Sequence, residues 1–380
     1  MTISAPTLET LQTQIKRDKD QPLSQSELKA FAEELDQLKK DISAKVGAED
    51  IVYIEMVRDV CRACEIAGRL LLHFSLEPVS WALGVLCLYV HLQLDNLELN
   101  HHIQHGAYDR LPEARPFHSD VYYHNSPVDE EAWRYRHNIL HHSYTGQVDR
   151  DPDVTYGFYR LGEMIDKQPF HSVQPLVLIL NTINSSENVG LLSSGLMEFI
   201  QMMGIPGYSD LGYPSVNKST DFEGFLKSFH KSFRKVIPNA AYNYGLYGLL
   251  AGPLMWPKVT LGTLSAVVLR NIFTGLAFYT GHMVEGVKHY DAPPKNKAEW
   301  YWQQVEGSAN VEAGGVFSVL AGHLNYQIEH HLFPKLPPNR LVEISPQVRE
   351  ICERYGVTYR TGSFAEQVGS LFNRLIKYSK

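Results

Sequence analysis

Cysteine is scarce in this chain: Cys61, Cys64, Cys87 and Cys352 are the only four in 380 residues. Four are too few for a disulfide framework at this length, so burial or metal must hold the fold, and the expected compartment is reducing. Cys61 and Cys64 make a lone C-x-x-C, which without a second pair reads as two small residues on a helix. Positive charge is short as well. Lys and Arg number 35 against 42 Asp and Glu, a net charge of -7, which argues against a nucleic-acid surface because that affinity rests on clustered cations. The first twenty residues have no apolar secretory core, so no signal peptide is expected and the N-terminus is expected in the cytoplasm.

Long hydrophobic runs are missing too. A membrane-spanning helix wants roughly 20 apolar residues, and the uncharged stretches here, such as "PVSWALGVLCLYVHLQL" from Pro78 and "PNAAYNYGLYGLLAGPLMW" from Pro238, are each marginal. A mean hydropathy of -0.22 with 44% hydrophobic residues fits a soluble helical protein and a membrane protein equally. The pattern says more than the composition. Residues 238–256 and 259–283 can form a helical hairpin around "WPK", and residues 59–96 a shorter one turning at Glu77-Pro78. Arg62, Glu65 and Arg69 lie inside the first, so a hairpin that only dips into the bilayer is an alternative to two spans there. The basic residues Lys227, Lys231, Arg234 and Lys235 put the start of the second hairpin on the cytoplasmic side. Asn181, Asn184, Glu187 and Glu198 make the region 171–205 interfacial rather than spanning.

Residues 1–50 read as a polar extension and 51–380 as the main domain. Ser24 with Glu27 forms a capping box, and Leu28, Phe31, Leu35, Leu38 and Ile42 follow at helical spacing, which predicts an amphipathic helix whose stripe docks on the chain's own core, a partner or a lipid surface.

Eight of the seventeen histidines fall in three clusters: "NHHIQHGAYD" with His101, His102 and His105, "RHNILHHSYTG" with His137, His141 and His142, and "LNYQIEHHLFP" with His330 and His331. A lone histidine such as His73, His91, His171 or His230 is ordinarily a satisfied core or surface residue. Three clusters are another matter, because buried imidazoles cost free energy unless each nitrogen finds a partner. Residues three or four apart share a helix face, so His101 with His105, and His137 with His141, can aim at one ion. His142 stands about 100° round from His141, which suits two ions or two sides of one site. Seven or eight ligands are enough for two ions, although imidazole suits iron, copper, nickel and zinc alike.

H-x-x-x-H at 101–105, H-x-x-x-HH at 137–142 and Q-x-x-HH at 327–331 resemble the three histidine boxes of the membrane di-iron fatty acid desaturases, and the resemblance covers roughly residues 50–365. The Gln that opens the third box is similar to the linoleoyl-CoA and front-end branch, and the whole chain looks most like bacterial members. The resemblance implies an all-α fold: a helical membrane domain of two hairpins, about four helices with some only interfacial, and a cytosolic helical cap enclosing a di-metal site. It implies two iron ions and O2 as co-substrate, with His101, His105, His137, His141, His142, Gln327, His330 and His331 as ligands. His282, in "YTGHMVEGVKHYD", matches the ligand that the family draws from the end of its fourth membrane helix, and His323 is a further ligand or an outer contact. His102, His118, His124 and His289 are weaker candidates. Asp149, Asp151 and Asp153 either orient box histidines or form a solvated acidic loop. Glu329, two residues from Gln327, points off the ligand face and is an outer contact.

The activity implied is insertion of a double bond into a fatty acyl chain carried on CoA, a carrier protein or a phospholipid. The haem-binding His-Pro-Gly-Gly motif of fused members is missing, so electrons are expected from a separate donor such as ferredoxin, or cytochrome b5 with its reductase. The expected location is a bacterial inner membrane with the site facing the cytoplasm. The alternatives are a lipid or alkane hydroxylase on the same scaffold and a non-enzymatic metal-binding membrane protein.

Overall fold

The computed structural model describes residues 23–123, 126–148, 150–154, 158–192, 203 and 222–380. Helix α1 (Gln25–Lys45) begins at the expected capping box: Ser24 Oγ accepts from the Glu27 amide, and Glu27 Oε2 accepts from the Ser24 amide at 2.8 Å. Its stripe docks on the chain's own core, where Phe31, Leu35 and Ile42 are buried with Ile328, Leu332, Leu341 and Ile344.

Helices α2 (Ala48–Phe74) and α3 (Pro78–Gln93) make the first hairpin. Glu77 caps α3 by accepting from the amides of Val79 and Ser80, and Pro78 takes a first-turn position, where no N–H is needed. The two backbones touch: a Cβ on Gly68 would lie 2.9 Å from the Leu88 nitrogen. α3 continues into a π-helical stretch, Leu94–His101, and then a short turn, His102–Gln104. Helix α4 (Glu130–Trp133) likewise passes into a π stretch, Arg134–His141. Helices α5 (Gln174–Ile183) and α6 (Ser185–Leu192) follow, and Asn271 donates to Ile183 O and Glu187 Oε2 to hold them on the second hairpin.

That hairpin comprises α7 (Phe222–Ala240), a π continuation (Ala241–Leu246) and α8 (Tyr247–His282). α8 is broken at Gly252, with φ 74° and ψ 169°, and Arg69 donates to Asn243 at 2.6 Å on one limb and Thr263 at 3.2 Å on the other. The reversal therefore falls at Gly252-Pro253, four residues ahead of the expected "WPK". Glycine adopts positive φ without a Cβ clash, and Pro253 then starts the returning limb. Among the described residues, one helical run, Phe222–His282, is long and apolar enough by length and composition to cross a membrane.

The remainder is a helical cap: α9 (Lys297–Glu306), β1 (Asn310–Glu312), α10 (Val316–Leu320), α11 (Gln327–Leu332), α12 (Pro338–Tyr355), β2 (Thr361–Ser363) and α13 (Phe364–Ser379). β1 and β2 pair in parallel, Asn310 opposite Thr361. The fold is mainly helical, as expected, and the cap closes over the ends of α3, α4 and α8, where the three histidine clusters meet.

Candidate metal centre

Two π-helical stretches lead into the first two histidine clusters, His101 ending one and His137 and His141 lying in the other, and such stretches often mark functional sites. The His142 amide donates to His137 O at 3.0 Å, an i→i+5 bond. This wider turn brings His142 beside His137, their Nε2 atoms 3.3 Å apart, although α-helical spacing would have separated them. The third cluster sits on α11, with Gln327, His330 and His331 all buried.

The ligand atoms gather in three overlapping groups, each within 4.8 Å: His101, His105, His137 and His330; His137, His141 and His142; and His141, His282 and His331. Gln327 Nε2 donates to His282 Nε2 at 2.8 Å, which sets the glutamine beside the last group. His323 is in none of them. Its Nδ1 lies 3.0 Å from both carboxylate oxygens of the buried Glu98, whose Oε1 also takes the Tyr53 hydroxyl. His102 is likewise occupied elsewhere, 2.7 Å from Gly322 O, and His118 lies against Leu111 O and Arg115. His289 stands outside the three groups. His124 and Asp149 lie outside the described residues. Cys61 pairs with His91, Sγ to Nδ1 at 3.2 Å, away from the cluster.

The orientation of the rings is set from outside. His137 Nδ1 donates to Asp153 Oδ2 at 2.6 Å and His141 Nδ1 to Asp151 Oδ1 at 2.8 Å. His331 Nδ1 donates to Gln304 Oε1 at 3.0 Å, and His282 Nδ1 to Gly307 O at 3.2 Å. With Nδ1 protonated, each ring turns its Nε2 lone pair inward. Glu329 faces the other way, accepting from Asn310 and Tyr359, and burial pushes its carboxyl up to about 7.

These nitrogens oppose one another. His282 Nε2 and His331 Nε2 are 3.1 Å apart, two lone pairs face to face, an arrangement that repels unless a cation lies between. Nitrogens bound at about 2.1 Å and at right angles on one ion stand about 3.0 Å apart. His101 and His330 repeat the spacing, Nε2 to Nε2 at 3.0 Å. Nε2 of His105 and His141, Nδ1 of His142 and His330, and Oε1 of Gln327 are buried without hydrogen-bond partners among the described residues. The donor set thus fits metal, with room for two ions.

Electrostatics agree. Burial drives His105, His142, His330 and His331 well below the ordinary imidazole range, and neighbouring rings push the same way, so these ligands are neutral. Burial pulls on His141 too, but Asp151 outweighs it and raises that ring, the basicity that a carboxylate lends to a metal ligand. Burial would raise Asp153, yet the Arg136 guanidinium and the His137 ring hold it well below the usual carboxylate range.

A cavity of about 150 Å³ opens beside His101 and His137 and runs toward Ser186 and Val189 of α6 and Thr274 of α8. Trp133 and Phe278 wall it at the cluster, and Trp133 stacks on His137 with centroids 4.5 Å apart.

Comparison with known proteins gives this geometry a family. The sequence profile described as "Fatty acid desaturase" matches residues 77–363. The chain belongs to the fatty acid desaturase family. It is an oxidoreductase. The desaturase is 32% identical over 362 residues to the NADPH-dependent stearoyl-CoA 9-desaturase of Mycobacterium tuberculosis, covering 94% of this chain and 81% of that protein. It is 27% identical to the acyl-lipid (7-3)-desaturase of Diacronema lutheri, covering 79% of this chain and 63% of that one. The acyl-lipid 8-desaturase of Rebecca salina is also 27% identical, over 63% of this chain and 48% of its own length.

Several residues around the desaturase's cluster escape sequence reasoning. Trp133 stands four residues before His137 on the same helical run, a spacing that could have flagged it. Gln304 and Thr145, which meet each other and His331 Nδ1, come from segments 159 residues apart and carry no local signal.

Proposed function

We propose that this desaturase inserts a double bond into a fatty acyl chain at a two-iron site, with O2 as co-substrate. The observation that carries the reading is the close approach of buried Nε2 atoms at His282–His331 and His101–His330, beside a cavity lined mostly by apolar side chains. When bound, the metal pair with O2 supplies the oxidising power to take two hydrogens from adjacent unactivated methylenes, chemistry that side-chain acids and bases do not reach.

The chain's own residues hold and shape. His101, His105, His137 and His330 form one ligand set, and His141, His282, Gln327 and His331 the other, with His142 between them. Asp151, Asp153, Gln304 and Gly307 O fix the ring orientations. His323 braces the π stretch from outside through Glu98. Trp133, Phe278, Val189 and Thr274 fix which acyl carbons lie against His101 and His137, because an apolar slot aligns a flexible chain that has no polar handle of its own.

The hairpins α2–α3 and α7–α8 are read as embedded in a membrane. They expose Leu70, Phe74, Leu76, Leu83, Leu249, Leu250 and Leu254, large apolar side chains at 49–96% exposure, and the cluster sits on the cytoplasmic side, beyond the basic residues of α7. The acyl group arrives on CoA, a carrier protein or a phospholipid. Electrons come from a separate protein; the mycobacterial relative is named as NADPH-dependent, which fits a reductase drawing on NADPH.

The test is expression, with a compatible reductase and donor, in a host lacking polyunsaturated lipids, followed by fatty acid profiling of wild type and His330→Ala. A new double bond with the wild type alone is the expected result. An oxygenated product would contradict it, and so would a profile identical in both strains.

A further inference from the structure

Helix α7 divides its surface three ways. Phe222, Leu226, Phe233 and Ile237 recur at helical spacing and form one stripe, all exposed, between 41% and 60%. Lys231 and Lys235 turn to the protein: Lys231 pairs with Glu131 and lies 3.4 Å from Asp129, and Lys235 pairs with Glu130. Lys227 and Arg234 fall on the flank between these faces at 100° per residue, with Glu223 of the first turn beside them, which leaves the flank net positive. Both cations are exposed, and no acidic side chain among the described residues pairs with either.

A cationic flank beside a stripe of large apolar side chains is what a helix needs at a bilayer surface, where the stripe enters the acyl region and the cations meet phosphate. The same limb exposes Leu246, Leu249 and Leu250 further along. An acidic protein partner would call for the cations but not for the apolar side chains beside them. We propose that α7 is a headgroup-level anchor that selects anionic phospholipid through Lys227 and Arg234. Its other cations grip Asp129, Glu130 and Glu131 at the start of α4, so the lipid contact is tied to the helical run that carries Trp133 and His137. The proposal rests on the membrane placement of the hairpins and is independent of the metal chemistry.

The test places a fluorescent reporter on the full-length protein in phosphatidylcholine bilayers that contain a minor fraction of phosphatidylglycerol. Phe233→Trp reports from α7 and Leu250→Trp from the hairpin limb, each read as the difference from the parent with its five native tryptophans. Brominated phosphatidylglycerol is expected to quench the Phe233→Trp signal more efficiently, mole for mole, than brominated phosphatidylcholine. That preference should fall about fivefold for each cation removed in Lys227→Gln and Arg234→Gln and fade at high salt. Equal quenching by both lipids overturns the proposal. Quenching at position 250 but not at 233 also overturns it, in favour of a protein partner, while leaving the membrane reading intact. Quenching at neither position overturns both.

Discussion

Asp151 Oδ1 lies 2.8 Å from Nδ1 of His141, and both side chains are wholly buried. The other carboxylate oxygen accepts from the Gly146 amide, so the acid is held as firmly as the ring it orients. Asp151→Asn removes the charge and faces one N–H group with another. Metal affinity should fall roughly 10- to 100-fold, and metal retained against a competing chelator measures it.

Gln327 and His323 should part company. Gln327→Ala removes a side chain 2.8 Å from His282 Nε2 and is expected to lower bound metal with little change in thermal stability. His323→Ala removes the imidazole partner of the buried Glu98, which keeps the Tyr53 hydroxyl, and should cost about 2 kcal/mol while metal content holds. Metal analysis and thermal unfolding of the two variants separate these outcomes.

Two glycines with positive φ offer a second contrast. A Cβ at Gly252 meets nothing within 4 Å, whereas one at Gly322 would lie 2.8 Å from the Leu97 carbonyl carbon. Gly252→Ala should cost only the conformational penalty of about 1 kcal/mol. Gly322→Ala adds a backbone collision beside the stretch that carries His101, and its melting temperature should drop further.

Val189 lines the cavity from α6. Val189→Phe should abolish turnover of the longest acyl chains and spare the shortest, read from competition among acyl substrates of graded length.

How far this was legible beforehand depended on whether the deciding contacts are local. The capping box at Ser24 and Glu27 and the three histidine clusters are short-range patterns, and both led to the right elements. His142 is expected to serve a second ion or a second side of the site, and the i→i+5 turn sets it beside His137 and against His331. The hairpin reversal is expected at "WPK" because the two uncharged stretches meet there, yet Gly252 is the residue that tolerates positive φ. Gln304 and Gly307 hold His331 and His282 from 27 and 25 residues away, contacts that only the tertiary fold creates. His323 sits four residues before Gln327, which suggested a ligand, but its left-handed backbone, φ 52°, breaks the helix that would have aligned the two.

The central claim is that these histidines hold two irons. The direct measurement is metal per chain in the purified desaturase by inductively coupled plasma mass spectrometry, beside His331→Ala. Close to two irons per chain, reduced in the variant, is the expected result. A single ion per chain, or zinc in place of iron, would contradict it.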